Sequence, residues 1–136
     1  MAIYDDLITA VRECPEAAAL EYKGRTTSFR SLYEQSSRVA AGLQERHLRR
    51  GAAIGIMLPN IPQFLAITYG TFFCGHVVTP MSVLATPREV AHIVRSSALD
   101  MLFVAAPFVP VVQQALDDIE RPPEIVVIGE ASDTLT

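Results

Sequence analysis

The sequence predicts an α/β fold: a mainly parallel sheet with helices on both faces, preceded by a small N-terminal β-hairpin. Four short apolar runs, at residues 53–58, 77–80, 101–105 and 124–128, start 24, 24 and 23 residues apart. This is the spacing of repeated strand–helix units. Helical patterns fill the gaps between them, and the runs are apolar throughout rather than alternating, as strands buried on both faces must be.

The first element is a helix over residues 4–13, where Tyr4, Leu7, Ile8 and Val11 share one face and Asp5 and Asp6 stand in the first turn, favourable beside the positive end of the helix dipole. Cys14-Pro15 ends it, because a residue before proline is pushed out of the helical region. Ala18–Tyr22 and residues 25–27 flank Lys23-Gly24, a pair suited to a tight hairpin turn. Ser28 can cap a long helix whose stripe Phe29, Leu32, Tyr33, Ser36, Val39, Ala40 and Leu43 keeps three-and-four spacing.

Between the strands, Asn60 is the expected cap of a helix over residues 61–74. Thr86-Pro87-Arg88-Glu89 has capping-box spacing with proline at the first helical position. A last helix is expected over residues 109–120, burying Val111, Val112, Ala115, Leu116 and Ile119. The helix at 61–74 is apolar nearly all round, with Phe64, Leu65, Ile67, Tyr69, Phe72 and Phe73 on its circumference. It should therefore be enclosed, and the chain is short for enclosing it, which reads as part of something larger.

The 136 residues suit one domain with one core. Half are hydrophobic and 19% charged, a composition of folded rather than disordered chains. The formal charge of -4 supplies no overall positive field for nucleic acid, so no nucleic-acid partner is expected. A local basic cluster at Arg46, His47, Arg49 and Arg50 reads first as complement to a helix carboxyl end, with contact to a phosphate as the alternative. Residues 51–87 contain no Asp, Glu, Lys or Arg. Pro59, Asn60, Pro62, Gln63 and Gly75 break that stretch, leaving too little for the ~20 residues of a membrane span. Cys14 and Cys74, 60 residues apart without a secretory signal ahead of them, point to free thiols in a reducing, cytoplasmic compartment.

Several chemistries are excluded by what is missing. There is no G-x-G-x-x-G, no Gly-Lys pair for a phosphate-wrapping loop and no G-x-S-x-G elbow. The expected strand ends, Leu58-Pro59, Pro80 and Ala105, carry no carboxylates for magnesium. His47, His76 and His92 are scattered; only Glu89 and His92 share a helix face, and they read as a solvated face rather than the start of a zinc site.

Four segments, in order, resemble the N-terminal subdomain of the adenylate-forming (AMP-binding) superfamily of acyl-CoA synthetases, luciferases and peptide-synthetase adenylation domains. Thr27-Ser28-Phe29-Arg30-Ser31-Leu32-Tyr33 is similar to its early [ST]-[YF]-x-x-L segment, and Ile56-Met57-Leu58-Pro59-Asn60-Ile61-Pro62-Gln63-Phe64 to its strand-to-helix passage. Gly75-His76-Val77-Val78-Thr79-Pro80-Met81 resembles G-A-x-x-x-P-x, and Leu84-Ala85-Thr86-Pro87-Arg88-Glu89-Val90 resembles L-x-T-P-R-E-L. The last favours the fatty-acid and aryl-acid:CoA ligase branch. Departures are Gly51-Ala52 for Gly-Asp, Phe73-Cys74-Gly75 for Lys-Ala-Gly, and Ser82-Val83 for Asn-Pro.

The resemblance implies a single N-terminal subdomain over residues 1–136 of an enzyme that joins a carboxylate to ATP as acyl-adenylate and then transfers the acyl group to coenzyme A. ATP, Mg²⁺ and coenzyme A are implied for the complete enzyme and none for this chain. The phosphate loop and the mobile C-terminal domain would follow Thr136. No catalytic, cofactor-binding or metal residue is therefore expected, and residues 81–85 are the nearest segment to a site by fold analogy. The implied partner is the remainder of the synthetase, in cis or in trans. The alternative is a non-catalytic, free-standing interaction module, a possible homodimer burying the apolar helix at 61–74 or its neighbouring surface.

Overall fold

The structure, a computed structural model, describes residues 2–129. Helix α1 (Asp5–Glu13) leads into a two-stranded antiparallel ribbon, β1 (Ala18–Tyr22) and β2 (Arg25–Ser28). Lys23 and Gly24 both take positive φ, 50° and 78°, the conformation of the two-residue turn that matches strand twist. Ser28 closes β2 and caps the next helix, its Oγ accepting from Ser31 N at 3.1 Å. That helix, α2, spans Phe29–Glu45.

The parallel sheet follows: β3 (Ala53–Met57), α3 (Pro62–Phe73), β4 (Val77–Pro80), α4 (Pro87–Ser96), β5 (Leu99–Ala105), a 3-10 turn (Ala106–Phe108), α5 (Val109–Leu116) and β6 (Glu124–Ile128). Its order is β4-β3-β5-β6, every neighbouring pair parallel. From β3 the chain steps one way to β4, then back past β3 to β5 and on to β6. Right-handed crossovers require the connecting helix to change faces when the step changes direction. Accordingly α3 packs with α2 on one face, over Ile54, Ile56, Met101 and Phe103. Helices α4 and α5 cover the other, over Ala53, Met57, Leu102 and Val104.

Strand β5 begins two residues before the apolar run that marks it in the sequence. Leu99 pairs with Ala53 and Met101 with Ile54, so Asp100 is an extra residue bulged from the ladder. Its carboxylate accepts from Ala53 N at 3.0 Å and meets Arg49 at 3.1 Å. The bulge sends Leu99 and Met101, two positions apart, to opposite faces.

The apolar helix α3 is partly covered within this chain, with five of its twelve residues buried and the others half-buried. Leu7 of α1, Leu32 of α2 and Ala66 of α3 form a third cluster, joined by Leu65, Tyr69 and Phe73. Tyr4 meets the Phe73 ring edge-on at 5.0 Å between centroids. Close approach of α2 and α3 is set by Gly70, where a Cβ would stand 2.6 Å from Val39 Cβ and 2.7 Å from Ser36 O. The buried hydroxyls at this seam are spent within their own helices, Ser36 donating to Leu32 O and Thr71 to Ile67 O, each at 2.7 Å.

Two expectations are corrected. Asn60 does not cap α3: the cap is Ile61, extended at φ -112° and ψ 159°, with no side-chain hydrogen bond, because the residue before Pro62 is held out of the helical region. Helix α5 ends at Leu116 rather than at 120; Asp117 and Asp118 would stand against the negative end of its dipole.

Candidate functional site at the carboxyl ends of the strands

An open α/β sheet offers a ligand crevice where adjacent strands send their connections to opposite faces. Strand β3 connects to α3 on one face, whereas β4 and β5 on either side of it connect to the other. The candidate site is thus the crest formed by residues 58–61, 81–86 and 106–108.

The hydroxyls of Ser82 and Thr86 on this crest already serve the backbone. Ser82 Oγ accepts from Leu84 N at 3.1 Å, and Ser82 O from Ala85 N at 3.1 Å. Thr86 Oγ1 accepts from Glu89 N at 3.2 Å while the Glu89 carboxylate accepts from Thr86 N at 2.9 Å, the complete capping box. Glu89 thus serves its helix end. Met81 is buried, its N–H donating to Ile56 O at 2.8 Å, and Leu84 is 86% exposed. The segment 81–85 does lie at the crest, but as a self-braced connection.

Phe108 was not singled out by sequence. It packs against both main clusters, joining the two faces at the end of the sheet. No sequence period marks it, since it lies in a turn outside any strand or α-helix.

In the basic cluster at the opposite, amino end of the sheet, Arg46 and Arg49 are paired. Arg46 Nε donates to the Glu124 carboxylate at 3.0 Å and its Nη1 to Gly42 O at 2.8 Å, at the carboxyl end of α2. Arg49 binds Asp100 and Ala98 O. Cys14 is exposed, while the Cys74 thiol donates to Ala40 O at 3.3 Å, and burial pushes its pKa up from the ordinary 9.0. Among the described residues, no group of three His, Cys, Asp or Glu side chains is placed to hold a metal ion. None of their helices is long and apolar enough to cross a membrane.

The geometry defines a doubly wound α/β unit, and solved structures share it. An anthranilate CoA ligase, AuaEII, in complex with anthranoyl-AMP superposes with a TM-score of 0.89 at 21% identity, over 94% of this chain and 25% of that one. A benzoate CoA ligase from Burkholderia xenovorans LB400 superposes at 0.86 and 17% identity, over 94% of this chain and 26% of its own. At these identities the likeness establishes the fold.

The family follows from sequence: residues 7–135 match the model of the AMP-binding enzyme family, and the chain belongs to it. It is 27% identical over 115 residues to the 3-hydroxybenzoate–CoA/4-hydroxybenzoate–CoA ligase of Thauera aromatica, covering 85% of this chain and 22% of that ligase. It is 31% identical over 98 residues to the long-chain-fatty-acid–CoA ligase of Bacillus subtilis (strain 168), covering 68% and 18%. The chain thus spans about a fifth of the length of the curated relatives it matches.

Proposed function

We propose that residues 1–136 form the N-terminal scaffold subdomain of an ATP-dependent acyl- or aryl-CoA ligase working in the cytoplasm, completed by the remainder of the ligase in cis or in trans. The supporting observation is the family match over residues 7–135. Relatives on fatty and on aromatic acids match alike, so the reading is of carboxylate activation as a class.

We assign no described residue of this chain to a nucleotide or its magnesium ion. Ser82, Thr86 and Glu89 each accept a nearby backbone N–H, and Phe108 packs across the end of the sheet. No step through ATP or coenzyme A is assigned to them. The chain's own contribution is a stiff two-faced sheet on which other segments would build the reacting centre.

The test has two arms. The isolated chain, given Mg²⁺ and a panel of fatty and aryl acids, is expected to catalyse no acid-dependent exchange of pyrophosphate into ATP. Substituted for the matched segment of the Bacillus subtilis ligase, it is expected to support that exchange. Exchange by the isolated chain, or a cooperatively folded but inactive chimera, would overturn the reading.

A further inference from the structure

We draw no further inference here: the strongest candidate, the partly exposed aromatic cluster of Tyr4, Tyr33 and Phe73 where α1, α2 and α3 meet, carries nothing, because nothing in the structure shows what covers it.

Discussion

Replacing Gly70 with alanine puts the α2–α3 seam to a quantitative test. The new Cβ would lie 2.6 Å from Val39 Cβ, 2.7 Å from Val39 Cγ1 and 2.7 Å from the carbonyl oxygen of Ser36. Two of these are side-chain atoms and one is backbone, so a rotamer change at Val39 cannot relieve all three. Reaching ordinary contact distance requires α2 and α3 to separate by most of an ångström, over a seam that includes fully buried Ser36, Thr71 and Ile67. Overpacking of this kind costs about 1–3 kcal/mol, and the better helix propensity of alanine returns up to about 1 kcal/mol. The net expectation is a loss of about 1–2 kcal/mol, read as a fall of about 0.5–1 M in the urea midpoint for an m-value near 2 kcal/mol/M. Gly70→Ala combined with Val39→Ala should recover part of the packing strain at the cost of two methyl groups. An unchanged or raised midpoint in Gly70→Ala would refute the reasoning, because it would mean that the helices hold slack where the structure places contact.

Four further outcomes follow from contacts described above. Thr86→Ala removes half of the capping box and should cost about 1 kcal/mol in chemical denaturation, whereas Thr86→Ser should be nearly neutral. Cys14 should react with a thiol reagent quickly and Cys74 slowly in the native chain, the two becoming similar in denaturant. Because burial raises the Cys74 pKa above its unfolded value of 9.0, its contribution to stability is complete below that pH and is lost as pH rises through the folded value. Alkaline titration of the urea midpoint should therefore show a decline above pH 9.0 that Cys74→Ala reduces. Ile56→Ala, at a side chain with no exposure in the central strand, should cost about 2–5 kcal/mol.

Local chemistry was the most legible part of the sequence. Lys23-Gly24 and Thr86-Pro87-Arg88-Glu89 form the turn and the cap that their residue types require, since a few neighbouring atoms decide the geometry. The start of β5 was hidden for a physical reason. Leu99 and Met101 share a face in a regular strand, and the Asp100 bulge that separates them depends on Arg49 and Ala53, half the chain away. The partial cover of α3 was equally remote, because it depends on where α1 and α2 dock. Asn60 had the right side chain for a cap and the wrong neighbour. At the candidate site, the sequence pointed to 81–85 through fold analogy. Phe108 acts by bridging two faces, and a bridging role leaves no periodic trace.

The winding of the sheet bears on how the chain can emerge from a ribosome. Strand β3, buried along its whole length, receives β4 on one side some twenty residues after it is made and β5 on the other some twenty residues after that. Until Leu99–Ala105 arrives, a nascent chain carrying everything through α4 would present β3 with one unsatisfied ladder edge and with Ile54 and Ile56 lacking their neighbours Met101 and Phe103. Strand β5 thus closes a seam at the middle of the described sheet, and a stall just before it would leave that ladder edge open to chaperones or to other nascent copies.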